Sequence, residues 1–253
     1  MHSSKYRAGE KKIALEGPNL VYTAVSAGYI PEVLFITESL NQNEYQALMD
    51  KLPQGVKTII LEESFFKKHL ADTITPQYIA AIIPYDISQS TSEETITGDL
   101  VLVVDRLQDP GNMGSLIRTA SAVGADRVYY TKGSADAYSA KVLRSTAGSI
   151  FQTKIALCMN NKELINQLKN NSFKLIAAAP KAETSYWTAN YTGRIAIVIG
   201  NEASGISKEF MEAADVCVTI PLRNKVESLN ASVSGAIILY EALRQRHEAS
   251  IAP

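Results

Sequence analysis

Three short segments place polar side chains where apolar runs end, and these are the positions at which the chain can do chemistry. The first is DRLQDPGNMGSLIRTASAVG, residues 105–124, where Asp109-Pro110-Gly111-Asn112 forms a turn after an apolar strand. Asn112 is suited to cap the helix that follows. Arg118 lies further along that helix, beside Leu116, Ile117 and Ala120, and so not on a plainly solvated face. These residues can serve a site, or they can be a cap and a salt-bridged surface residue. The second is IGNEASGIS, residues 199–207. Gly200 and Gly205 there permit close backbone approach to a ligand, and Glu202 can hydrogen-bond a ligand or an arginine. Alternatively it is a tight turn with a capping carboxylate. The third is IPLRNKVESLNASVSG, beginning at Ile220, with a small basic loop (Arg223, Lys225) before Ser228-Leu229-Asn230. Ser228 is the natural N-cap of the last helix. A fourth segment, KVLRSTAGSIF over 141–151, groups Lys141, Arg144 and Ser145 as a phosphate contact or a solvated face.

The elements that position these segments follow from apolar periodicity. After residue 98, short apolar runs alternate with helical patterns: LVLVVD (100–105), 127–131, KLIAAA (174–179), RIAIVIG (194–200) and VCVTI (216–220) read as strands. Helices are expected at 112–123, 137–146, 162–169, 208–213 and 229–247. Interleaving of this kind predicts an α/β fold with a mostly parallel sheet covered on both faces. Ligands on such sheets sit beyond the C-terminal ends of the strands, which is where the polar segments fall. Before residue 84, strands at 33–37, 57–61 and 79–83 and helices at 20–27, 43–51 and 63–70 suggest a smaller α/β/α domain. Between the two, PYDISQSTSEETITGD (84–99) reads as a linker. The boundaries are drawn at 1–90, 91–97 and 98–253.

Composition excludes several classes. The 253 residues carry 25 Lys plus Arg against 26 Asp plus Glu, a net charge of −1, which rules out a generally basic nucleic-acid coat protein. Two cysteines cannot build a disulfide framework, and three histidines cannot supply a dense metal site. There is no apolar run of membrane-spanning length and no signal-peptide core, so a soluble cytoplasmic protein is expected. The motifs GxGxxG after a strand, GxxxxGK[ST], HExxH and GxSxG are missing. Residues 1–95 hold 8 basic and 12 acidic side chains, so nucleic-acid binding there needs a local patch. Lys5, Arg7, Lys11 and Lys12 form one against the single Glu10, with Tyr6 beside them. They can equally be a solvated tail.

Taken together and in order, the segments DPGNMGSLIRTASAVGAD, IVIGNEASGIS and IPLRNKVESLNASVSGAIILYEA resemble the three signature motifs of the SpoU (TrmH-like) RNA 2′-O-ribose methyltransferases. KVLRSTAG is similar to that family's stretch between motifs one and two. The resemblance runs almost continuously over 98–246, with every signature polar position present. The early KYR and EGPNLVYTAV resemble the ribosomal-protein-like RNA-binding domain attached to many members.

The resemblance implies a trefoil-knot methyltransferase domain, an exception to the rule that chains do not thread loops. It implies S-adenosylmethionine, contacted at Ala178, Ala179, Gly200, Ile220 and Leu229. It also implies a homodimer with the active site near the subunit interface, an RNA substrate, ribosomal rather than transfer RNA, and no metal. Arg118 matches the family's catalytic arginine. Because a guanidinium has a pKa above about 12, holding the RNA phosphate and stabilising the developing alkoxide is an easier role for it than proton abstraction. Asn112, Glu202, Ser228 and Asn230 match the remaining polar motif residues, which orient Arg118 and the ribose. Lys5, Arg7, Lys11, Lys12, Lys141 and Arg144 are the expected RNA contacts. Other readings are a transfer-RNA enzyme, a non-catalytic ribosome-assembly protein, and an enzyme that protects its own ribosomes against an antibiotic.

Overall fold

The computed structural model describes residues 4–40, 42–71, 75–85, 96, 98–224 and 226–251. The expected linker at 91–97 therefore falls almost wholly outside the described residues, as does Lys225. The chain forms two compact units, residues 1–89 with 136–152, and residues 90–135 with 153–253. The sequence boundaries had assigned 136–152 to the second domain; by packing, this segment goes with the first.

The first unit runs α1 (Ser4–Glu10), β1 (Lys12–Glu16), α2 (Pro18–Ser26), β2 (Val33–Thr37), α3 (Gln42–Met49), β3 (Lys57–Leu61), α4 (Glu63–His69) and β4 (Ile79–Pro84). Its four strands are ordered β1-β4-β2-β3. β4 is antiparallel to both β1 and β2, while β2 and β3 are parallel. Helix α2 turns Leu20, Val21, Ala24 and Val25 inward, the i, i+1, i+4, i+5 stripe of a helix with one buried face.

The second unit runs β5 (Leu100–Val104), α5 (Pro110–Ala122) and β6 (Arg127–Thr131). The chain then passes to the first unit through α6 (Ala140–Thr146), which packs on β1. It returns as β7 (Lys154–Cys158), α7 (Asn161–Asn170), β8 (Lys174–Ala178), β9 (Thr184–Ser185), β10 (Ile195–Ile199), α8 (Lys208–Ala213), β11 (Val216–Thr219) and α9 (Ala231–Ile251). The seven strands are ordered β7-β6-β5-β10-β8-β11-β9, and all of their pairings are parallel. LVLVV of β5 and IAIVI of β10 are buried at every position, as expected for strands covered on both faces. One face holds Val101, Val103, Tyr129, Leu168, Leu175, Val198 and Phe210. Each such aliphatic side chain contributes about 1.5–3 kcal/mol of burial. On the other face α5 packs against α9. A Cβ at Gly235 would lie 2.3 Å from Leu116 Cδ2, so a larger residue there would force the Leu116 side chain to move.

β10 lies between β5 and β8 although it follows both in sequence. Strand order therefore reverses at β5/β10, and the loops after these strands diverge around a crevice.

Three strands lie outside the sequence reading: β1 (KIALE), β7 (KIALC) and the two-residue β9. β1 and β7 are pentapeptides whose few apolar residues suit a helical turn as well as a strand. The signal that was available is the alternation of Ile13 and Leu15, both buried in β1.

Candidate active site

The loops after β5, β10 and β11 bring three amide and carboxylate side chains together. Asn112 Nδ2 donates to Glu202 Oε1 at 2.6 Å. Asn230 Nδ2 donates to Asn112 Oδ1 at 2.9 Å. Ser232 Oγ, which sequence reasoning missed, stands 3.2 Å from Asn112 Oδ1 and 2.7 Å from Asn230 Oδ1. Its single proton serves one of them at a time. Local capping explains why Asn112 is available for this. The sequence made Asn112 the cap of α5, but the cap is Asp109, whose Oδ1 accepts the Asn112 backbone N–H at 2.7 Å. Pro110 fills the first helical position, where no N–H is needed. The Asn112 side chain is thereby released to the site.

The last helix shows the same exchange. Ser228 was the expected cap, yet α9 begins at Ala231, and Asn230 Oδ1 accepts from Ser232 N at 2.9 Å and Val233 N at 3.3 Å. Asn230 thus caps its helix with one end of its amide and holds Asn112 with the other. Ser228 is left exposed on a cavity wall.

That cavity, of about 480 Å³, opens where β8, β10 and β11 end. Ala178, Ala179, Gly200, Ile220 and Leu229, the five positions expected at the cofactor, all line it. Ile199, Val218 and Ile238 add apolar wall, and the charged lining residues are Lys181 and Glu202. Gly200 is required by close approach: a Cβ there would sit 2.5 Å from Gly205 C and Ile206 N. The volume lies within the roughly 300–1,000 Å³ of small-molecule sites, which combine apolar walls with a few polar groups. The two charges in its lining are of opposite sign.

Arg118 does not join this cluster. It is exposed on α5 and makes no hydrogen bond or ion pair among the described residues. Six residues along an ideal helix put it about 9 Å along the axis from Asn112 and roughly 120° around it. Its apolar neighbours point into the core while it points out, correcting the expectation of a less solvated face.

The expected RNA contacts divide sharply. Arg7 is only 3% exposed and is ion-paired with Asp136 within the first unit. A guanidinium so enclosed is a structural residue, and the expectation that it contacts RNA is corrected. Lys12 pairs with Glu32 at 2.7 Å and Arg144 with Glu16 at 3.5 Å. Lys5, Lys11 and Lys141 are exposed. Among the described residues no group of three or more His, Cys, Asp or Glu side chains is placed to hold a metal, and no helix is long and apolar enough to cross a membrane.

Residues 99–240 match the SpoU rRNA Methylase family model, and residues 1–81 match an MRM3-like substrate binding domain. The chain is 32% identical over 241 residues to the 23S rRNA (guanosine(2553)-2′-O)-methyltransferase RlmP of Bacillus subtilis, a match spanning 95% of this chain and 92% of that protein. A crystal structure of an RNA 2′-O ribose methyltransferase superposes with a TM-score of 0.83 at 32% identity, over 96% of this chain and 92% of the other. An AdoMet-bound rRNA methyltransferase from Sinorhizobium meliloti gives a TM-score of 0.78 at 25% identity, over 96% and 91% of the two chains.

Proposed function

The chain belongs to the SpoU rRNA methylase family, and on that premise we propose that it methylates the ribose 2′-hydroxyl of a nucleotide in ribosomal RNA, with S-adenosylmethionine as donor. The observation that carries the proposal is the convergence of three motif loops. All five expected cofactor positions line one cavity, and Asn112, Glu202 and Asn230 are hydrogen-bonded to one another across motifs one, two and three.

The cavity suits the cofactor. Its alanine and isoleucine walls can sandwich an adenine, and the backbone groups at the strand ends can pair with its edge. Lys181 and Glu202, both on the cavity wall, can meet a carboxylate and a cationic group respectively. S-adenosylmethionine supplies a methyl group already activated by its sulfonium centre. What remains for the protein is to align a weakly nucleophilic 2′-oxygen with that methyl, which is worth several kcal/mol of the barrier, and to support the charge that develops on oxygen.

Asn112, fixed from both sides, orients what lies against it. Arg118 keeps its fork of donors unspent, and we assign it to the substrate phosphate and the developing alkoxide. Its outward position fits a homodimer with the active site near the subunit interface, which is part of this proposal. So are the knotted path of the C-terminal chain, a cytoplasmic location, and RNA binding by the first unit through Lys5, Lys11 and Lys141. A non-catalytic assembly protein would have no use for the three-motif amide network.

The test is methyl transfer from labelled S-adenosylmethionine to total ribosomal RNA and, separately, to total transfer RNA, both from cells lacking the gene. Label in ribosomal RNA, in an alkali-resistant dinucleotide, is expected. Label in transfer RNA alone moves the substrate. No label in either, with cofactor binding intact, refutes the catalytic reading.

A further inference from the structure

Arg106, two residues beyond β5, has a left-handed backbone, φ 54°. Such a conformation in a non-glycine residue persists only where its surroundings impose it, and here the surroundings are the 200–207 loop. The preceding residue, Asp105, has a carboxylate with no exposure at all. Its Oδ1 accepts from Thr131 Oγ1 at 2.9 Å, and its Oδ2 accepts from Ser207 N at 2.6 Å. Thr131 Oγ1 in turn accepts the Arg106 backbone N–H at 2.9 Å. The Arg106 side chain turns back over the loop, placing Nε 3.5 Å from Asp105 Oδ2 and donating from Nη2 to Gly205 O at 3.2 Å. Asn201 closes the ring. Its Nδ2 donates to Arg106 O at 2.9 Å, and its Oδ1 accepts from Ala203 N and Ser204 N.

We infer that Asp105 and Arg106 are positioning residues for the cofactor. Neither lines the cavity, yet both hold the loop that does. The buried carboxylate draws in the Ser207 amide at one end of the loop, and the guanidinium fixes the Gly205 carbonyl near its middle. Asn201 and Gly205 pair through both of their backbone groups, so the loop carries Glu202 outward to Asn112 as a rigid tip. A buried charge is held in place only where it is paired and hydrogen-bonded. Asp105 meets that condition through Thr131 at the end of β6, Ser207 in the loop and its own chain neighbour Arg106. The inference rests on the methyltransferase reading of the cavity.

The test uses the full chain and S-adenosylmethionine, with no RNA needed for the binding arm. Arg106→Gly suits the left-handed backbone better than arginine while deleting the contacts with the Gly205 carbonyl and the Asp105 carboxylate. Relief of the backbone and loss of the ion pair act on the melting temperature with opposite sign, so affinity is read well below it, and the dissociation constant for S-adenosylmethionine should rise about fivefold, the scale of one hydrogen bond. Asp105→Asn should raise that constant about tenfold or more, as for loss of a charged hydrogen-bond partner. The KM for the cofactor should rise in step while the KM for RNA stays put. Amide hydrogen exchange should accelerate at 203–207 and remain unchanged in β5 and β10. A merely structural role would instead reduce the active fraction at constant KM. Cofactor affinity of Arg106→Gly within twofold of wild type overturns the inference, and this variant decides alone if Asp105→Asn does not fold. Wild-type protein that fails to bind S-adenosylmethionine overturns the reading of the cavity instead.

Discussion

Replacing Arg118 with alanine separates catalysis from folding. The side chain is exposed and unbonded among the described residues, and it does not line the cofactor cavity. Removing it breaks no contact, and alanine is at least as good a helix former, so stability should change by no more than about 0.5 kcal/mol. For a chain of this size that is a shift in Tm of roughly 2 °C or less. Cofactor affinity should be unchanged. If the guanidinium supports charge that develops only in the transition state, its loss costs about 100- to 1,000-fold in rate, as for one donor to a developing oxyanion. Lysine keeps the charge but not the planar fork, so Arg118→Lys should recover little of it. The assay is single-turnover methyl transfer to undermethylated ribosomal RNA, with calorimetric cofactor titration and thermal melting on the same samples. A rate within threefold of wild type refutes the role. So does a loss of cofactor affinity as large as the loss of rate, which would place Arg118 in the cofactor site.

The other predictions concern the cavity, the first unit and the thiols. Gly200→Ala should abolish S-adenosylmethionine binding, because the new Cβ meets backbone atoms of Gly205 and Ile206 that cannot move aside; near-normal affinity by titration would contradict the packing. Arg7→Ala should destabilise the protein by about 2 kcal/mol, less than for a fully enclosed pair because Asp136 keeps 31% of its side-chain exposure. Denaturant melts check this, and a change under 0.5 kcal/mol would make the pair incidental. Lys5→Ala with Lys11→Ala should flatten the salt dependence of RNA affinity by about two phosphate contacts, read from binding constants across a salt series. This is a fairer test than trimming residues 1–12, which would also remove buried Arg7 and the start of β1. Burial pushes the Cys158 thiol up to about 11, so at pH 8 roughly one molecule in a thousand carries the thiolate. A thiol reagent at that pH should therefore label Cys217 alone in the folded protein, with Cys158 reacting only on unfolding.

By itself the sequence determined the strands and helices with clear periods. VLFIT, KTIIL and RVYYT are strands at the residues expected, because short runs of apolar, β-branched and aromatic residues suit the pleated strand, even where, as in KTIIL, no position is fully buried. It also carried the family, because the motifs that hold Asn112, Arg118, Glu202, Ser228 and Asn230 are legible in identity and order without knowledge of any contact. What it could not determine is which of two partners a polar side chain takes. Asn112 and Ser228 both suit a helix start, and only the three-dimensional arrangement shows Asp109 and Asn230 capping instead. Arg7 and Arg118 look alike as basic residues in helices, yet one is sealed against Asp136 and the other stands in solvent. The Asp105 and Ser207 bond spans 102 residues, and the packing of α6 on β1 joins segments just as remote. Local periodicity reports which face of an element is buried, whereas capping, ion pairing and loop positioning depend on what the fold delivers from elsewhere in the chain, and that is decided only when the sheet orders β10 between β5 and β8.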